Sequence, residues 1–126
     1  VPLLAAFGIK RIHSSSAARC VQTVRPYASA ARISVRKEPS ISEEGFEDKP
    51  KAAAARVLEL ATLQQPLLIC SHRPVLPALM APFADLVGKK IQSMFTDTLP
   101  PGSFIVVHRS FAKSRWKITA VERHDV

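Results

Sequence analysis

Two short stretches of the chain set hydroxyls beside a cation. One is Ser14-Ser15-Ser16-Ala17-Ala18-Arg19 and the other is Ser71-His72-Arg73. Each follows residues suited to a β-strand and opens a segment suited to a helix. A strand–loop–helix junction of this kind offers side-chain hydroxyls, backbone N–H groups at a helix N-terminus and a charged donor, which together suit a phosphoryl dianion. The acidic segment between them holds Glu43 and Glu44, carboxyls able to hand a proton to a leaving oxygen.

Each of these residues also has a plainer reading. Arg19 alone is a solvated helix arginine, His72 at a strand end is a satisfied core histidine, and a carboxylate such as Glu43 in a loop is simply hydrated. The neighbouring hydroxyls favour function for Arg19 and His72, and Glu43 leans the same way. His13, also at a strand end, is left open between lining the same pocket and a structural role. His108 and His124 read as structural or surface residues, and Phe104 and Trp116 as packing. Cys20 and Cys70 form neither a metal-type nor a redox-type spacing. Two thiols make no disulfide framework, which points to a reducing, cytoplasmic compartment.

The elements that must position these groups alternate between strand and helix. The sequence predicts a helix end over residues 1–7 closed by Gly8, a strand over Ile9–Ser14, and a hydroxyl-capped helix over Ala17–Ala31 kinked at Pro26. A short strand at Ile33–Val35 and an acidic loop over Glu38–Pro50 follow. A helix over Lys51–Leu63 leads to the apolar run Leu67–Cys70, read as a strand buried on both faces. After Pro74 come a helix over Val75–Val87 and a connection over residues 89–103. A hairpin of Phe104–His108 and Trp116–Val121 then turns across Arg109–Arg115. The expected fold is α/β, a three-layer α/β/α arrangement with a mainly parallel sheet.

Composition sets the outer bounds. The 126 residues are 47% hydrophobic and 22% charged, ordinary for a globular domain, with no apolar run long enough to span a bilayer. Eighteen Lys and Arg against ten Asp and Glu give a net charge of +8, which favours anionic partners. No acidic residue precedes Glu38, a transit-peptide trait, but Pro26 interrupts the amphipathic segment such a peptide needs. A basic nucleic-acid-binding module stays as an alternative. Aromatics at 6% and scattered cations weigh against it, so neither nucleic acid nor membrane is the expected partner.

The run Ser14-Ser15-Ser16-Ala17-Ala18-Arg19-Cys20-Val21-Gln22-Thr23 resembles the Ser-Ser-Pro-Leu-x-Arg-Ala-x-Gln-Thr signature of the histidine phosphatase (phosphoglycerate-mutase-like) superfamily. Ile41-Ser42-Glu43 looks like that family's Leu-x-Glu, and Leu68-Ile69-Cys70-Ser71-His72 like its Val-x-x-Ser-His strand end. Arg73-Pro74-Val75-Leu76-Pro77 replaces the usual Gly-Gly, and with Leu99–Phe104 and Val121–His124 it is most similar to the C-terminal domain of actinobacterial MutT-type Nudix–histidine-phosphatase proteins. The resemblance implies a nucleotide-pool hydrolase acting on 8-oxo-guanine nucleotides and dinucleoside polyphosphates. It casts Arg19 and Ser15 as phosphate-binding residues, with Ser71 and Arg73 supporting the pocket. His72 would stabilise charge on the phosphoryl group, and Glu43 would protonate the leaving group, Glu44 being the substitute if the loop alignment slips by one.

The family's nucleophilic histidine lies in an Arg-His-Gly motif, which these 126 residues lack. The resemblance therefore makes the chain the C-terminal part of one such domain, without its first strand and nucleophile loop. The motif and a Nudix domain are then expected on a partner chain or segment. A nucleotide or phosphate is the expected ligand. No cofactor is expected here, Mg²⁺ belonging to the Nudix domain, and the isolated chain is expected to be inactive and to expose a sheet edge. A non-catalytic phosphate-binding domain supporting the Nudix site is the alternative.

Overall fold

In the computed structural model the described residues are 7–72, 74–84, 103–112 and 115–124, and the chain divides into two compact units, 1–76 and 77–126. The first is framed by a parallel sheet in the order β2–β1–β3, made of β1 (Arg11–Ser15), β2 (Val35–Glu38) and β3 (Leu67–Cys70). Register sets Ile12 beside Val35 and Leu68, and Ser14 beside Lys37 and Cys70. Side-chain alternation sends these to one face of the sheet. Helix α1 (Ala18–Ala31) covers that face: Val24, Tyr27 and Ala28 bury Ile12, with Ile33, Val35, Leu68 and Cys70 packed around them.

The opposite face carries His13 and Glu38. Here α3 (Pro50–Ala61) reaches in with Arg56, whose Nε and Nη2 donate to the two Glu38 oxygens at 3.0 and 2.9 Å. His13 Nδ1 lies 2.9 Å from Glu38 Oε1, and Arg11 Nε donates to His13 Nε2 at 3.2 Å. A neutral imidazole carrying its proton on Nδ1 satisfies both contacts. His13 thus serves the frame of the sheet. Helices on both faces of a parallel sheet make this unit α/β, as the alternation of elements predicts.

Several expectations need correction. The segment expected as a loop over Glu38–Pro50 is a 3₁₀ turn at Pro39–Ile41 followed by helix α2 (Glu43–Asp48), and Pro50 already opens α3. Ser42 caps α2 by accepting the Gly45 N–H at 3.0 Å, and Glu43 and Glu44 fill its first turn. The second strand begins at Val35 rather than Ile33, because the end of α1 consumes the residues before it. Arg32 turns left-handed at φ 58°, and Ile33 N–H closes back on the Ala28 carbonyl at 2.9 Å. β3 is half-buried along its whole length and bonded on one side only among the described residues, so the fully buried reading fails. No serine side chain caps α1: Ala17 holds the cap position, while Ser15 Oγ accepts the Ala17 N–H at 3.2 Å. The helix continues through Pro26, which is exposed.

The second unit contains helix α4 (Leu76–Ala84) and an antiparallel hairpin, β4 (Phe104–Ala112) with β5 (Arg115–His124). Both strands outrun their expected ends, and the pair forms a sheet of its own. Phe104 stacks on His124, Phe111 tilts against Trp116, and Arg109 sits 4.4 Å over the Trp116 ring, so the aromatics do pack within the hairpin. His108 and His124 both reach the Glu122 carboxylate, which lowers its pKa through hydrogen bonds. Gly8 adopts a left-handed φ of 61° in a turn. The helix expected over residues 1–7, the far end of the one expected over Val75–Val87 and nearly all of the 89–103 connection lie outside the described residues. Among the described residues no helix is long and apolar enough to cross a membrane.

Two consequences are measurable. A Cβ at Gly45 falls inside the van der Waals radius of the Pro39 carbonyl, with the Ser40 Cα 3.0 Å away, both backbone that cannot rotate aside. Gly45→Ala should therefore cost about 1–3 kcal/mol, read from the urea midpoint, and an unchanged midpoint would contradict the packing of α2 on the turn. The second concerns pH. Burial lowers the His13 pKa from its ordinary 6.5, and the Arg56 hydrogen bonds lower that of Glu38 from 4.5. Both folded-state values lie below the unfolded ones, so each contribution is complete above the unfolded pKa and lost as pH falls through the folded one. The melting temperature should fall on acidification, first below about 6.5 through His13 and again below about 4.5 through Glu38. Glu38→Gln should be less stable at neutral pH and show a flatter profile in the acid range.

Candidate functional site

The ends of β1 and β3, the first turn of α1 and the start of α2 meet at one point. His72 follows β3 and is 6% exposed. Its Nε2 shares a 2.8 Å hydrogen bond with the buried Ser15 Oγ, which fixes the ring against the end of the central strand. Its Nδ1 faces outward and lies 3.4 Å from both Arg19 Nη2 and Glu43 Oε1. Arg19 in turn donates to Glu43 Oε1 at 3.0 Å. The side chains of Arg19 and Glu43 are 77% and 44% exposed, so this ion pair is weakly held and easily opened by a competing anion.

The local causes can be traced residue by residue. Arg19 stands in the first turn of α1, where the helix has no acidic residue and its cap residue makes no side-chain bond. The first N–H groups of a helix lack intrahelical acceptors, so this end combines exposed donors with a guanidinium. Glu43 is brought here by the turn after β2. Ser42 Oγ donates to the Pro39 carbonyl at 2.7 Å, and Ser71 Oγ donates to the Ile41 carbonyl at 2.6 Å, tying that turn to the end of β3. Ser71 is thereby a tether between the Glu43 and His72 segments.

Of the residues singled out in the sequence, Ser15, Arg19, Glu43, Ser71 and His72 converge. Glu44 is exposed on α2 and makes no contact with Arg19 or His72, so Glu43 is the carboxylate in place. Arg73 lies outside the described residues. His108 and His124 belong to the other unit. Among the described residues no group of three His, Cys, Asp or Glu side chains could hold a metal ion.

Two participants escaped the sequence reading. Ser42 is the cap that orients α2, and its signal was a serine directly before Glu43-Glu44, an acidic first turn. Cys20 was set aside for want of a spacing partner. In the fold its thiol donates to the Ser71 carbonyl at 3.4 Å and lies 3.7 Å from His72 Nε2, filling the space beneath the imidazole. Its position directly after Arg19 was the available clue. Cys20 and Cys70 are both unlinked thiols.

No protein-family model matches the chain. Over 80 residues, 64% of its length, it is 34% identical to the 8-oxo-(d)GTP phosphatase of Mycolicibacterium smegmatis. That stretch is 25% of the relative, so the chain spans about a quarter of the curated protein it matches. The similarity ties the chain to a hydrolase in general terms.

Burial, with the neighbouring Cys20 thiol, pushes the Cys70 thiol up to about 12. At about pH 8 only about one part in ten thousand is then thiolate, the nucleophilic form. Iodoacetamide should alkylate Cys70 at least a hundredfold more slowly in the folded protein than in urea, followed by peptide mass spectrometry. Equal rates would place Cys70 in a solvated setting.

Proposed function

We propose that this chain forms part of a histidine-phosphatase-like domain in a nucleotide-pool hydrolase, acting together with a Nudix domain on 8-oxo-guanine nucleotides and dinucleoside polyphosphates. The observation that carries the reading is the convergence of Arg19, Glu43 and His72 at the open N-terminus of α1. The name of the M. smegmatis relative supports the substrate class.

A phosphoryl group enters by replacing Glu43 as the partner of Arg19. The guanidinium then meets two phosphoryl oxygens in a bidentate fork, and the N–H groups of the first turn of α1 take further charge. His72, held through Nε2 by Ser15, presents Nδ1 to the same group and stabilises charge that grows on the equatorial oxygens. Glu43, released from Arg19 by the incoming phosphoryl dianion, takes up a proton from solvent and passes it to the leaving oxygen. The nucleophile is a histidine of an Arg-His-Gly motif outside these 126 residues, so turnover belongs to the parent protein. Mg²⁺ in this reading serves the Nudix domain. The compartment is cytoplasmic, in keeping with two unlinked thiols.

In the full-length protein, Arg19→Ala and His72→Ala should each lower phosphatase turnover by roughly a hundredfold or more. Wild-type rates in both would overturn the site assignment. Inorganic phosphate or vanadate should raise the melting temperature of wild type but not of Arg19→Ala at this site. Protection without any turnover would convert the reading to a non-catalytic phosphate-binding domain.

A further inference from the structure

At the far end of α1 from Arg19 lies an open groove of about 450 Å³ lined by Arg25, Ser29, Arg32 and Ser34, with Ile33 and Val35 contributing apolar surface. No carboxylate lines it. Arg11, Arg19 and Arg56 of the same unit are each engaged with a neighbouring side chain. The side chains of Arg25 and Arg32, like that of Arg36 on β2, have no hydrogen-bond or ionic partner among the described residues, and all three are exposed.

The backbone adds a second observation. Arg32 holds φ 58°, a left-handed conformation that glycine adopts without cost and arginine does not. The helix end therefore keeps a guanidinium at a position where its own geometry favours a residue with no side chain. The carbonyl charge that would repel an anion at a helix C-terminus is partly quenched. Ser29 and Ala28 carbonyls accept the Arg32 and Ile33 N–H groups at 3.3 and 2.9 Å. The two arginines are seven residues apart, two turns of helix, about 10 Å along its axis. A chain of linked phosphates matches that span better than a single phosphate does, and Ser29 and Ser34 line the same groove.

We infer that this groove is a second anion site, separate from the Arg19–His72 centre, which binds a linear polyphosphate group. Arg25 and Arg32 clamp the two ends of the phosphate chain, and Ser29 and Ser34 donate to the oxygens between. The inference stands independently of the phosphatase reading.

The test is calorimetric titration of the protein with tripolyphosphate and with ATP, paired with amide chemical shifts. The double variant Arg25→Gln/Arg32→Gln should weaken tripolyphosphate binding at least tenfold, and Ser29, Ser34 and Ile33 amides should shift on titration of the wild type. Lys49→Gln/Lys51→Gln removes the same charge from two exposed sites at the start of α3 and should change affinity less than twofold at equal salt. Arg19→Ala should retain groove binding. Tighter binding of ATP than of tripolyphosphate assigns the source to a nucleotide, and equal binding assigns it to inorganic polyphosphate. An equal loss in the Lys49/Lys51 control would reduce the effect to net charge and overturn the site. So would abolition of all binding by Arg19→Ala, or unmoved amides at Ser29 and Ser34, a readout that holds even if the double variant folds poorly.

Discussion

A carboxylate held out of water at the end of β2 governs much of the first unit. Glu38 would be costly to bury alone, and it is stabilised by a two-pronged grip from Arg56 and a hydrogen bond from His13. These three residues come from α3, β1 and β2, so satisfying one charge fixes the relation of the helix to both strands. Removing Arg56 leaves the Glu38 carboxylate with the His13 hydrogen bond alone, and removing Glu38 takes the acceptor from His13 Nδ1, so each loss leaves a buried polar group short of partners. The arrangement also sets direction. The chain leaves Glu38 straight into Pro39–Ile41, and that turn aims α2 toward the ends of β1 and β3.

The consequence reaches the site through a short series of contacts. The Pro39 carbonyl takes the Ser42 hydroxyl, the Ile41 carbonyl takes the Ser71 hydroxyl, and Gly45 leaves no room for a side chain against the turn. Glu43 is therefore held on a short, closely packed helix. On the other side, Ser15 and Cys20 confine the His72 ring from two directions. The buried His72 is fixed by hydrogen bonds and packing, while the exposed guanidinium of Arg19 and the Glu43 carboxylate meet in a weak, solvent-exposed pair. This division suits a site that must keep a histidine oriented while exchanging one anion for another.

How much of this was legible depends on the range over which each cause acts. The strand at Arg11–Ser15, the helix at Ala18–Ala31 and the strand at Leu67–Cys70 follow from local pattern, and the hydroxyl–cation junctions were visible as sequence. The end of α1 at Ala31 was legible, but the start of β2 was misjudged, because the left-handed turn at Arg32 that draws in Ile33 lacks the glycine that usually marks it. Helix α2 is six residues long with little helical propensity of its own. It exists because Ser42 caps it and the turn supports it. The role of His13 was open for a different reason. A buried histidine is explained by its partners, and Glu38 and Arg56 are 25 and 43 positions away in the chain.

The same reasoning bears on the charge of the molecule. A surplus of eight positive charges says that anions are attracted but not where they settle. Structure answers by subtraction. Arg11 and Arg56 belong to the Glu38 network, and their charge is spent on holding the sheet and α3 together. Arg19 has a partner it can give up, because an exposed pair gains little from Coulomb attraction in water. The side chains of Arg25, Arg32 and Arg36 have none among the described residues. The three groups differ in availability, and availability decides which cations can answer an incoming phosphate. Helix α1 and its cap residue link Arg19 to Arg25 and Arg32, a displaceable arginine near one end and unpaired ones toward the other, so a single element would carry both of the proposed anion sites.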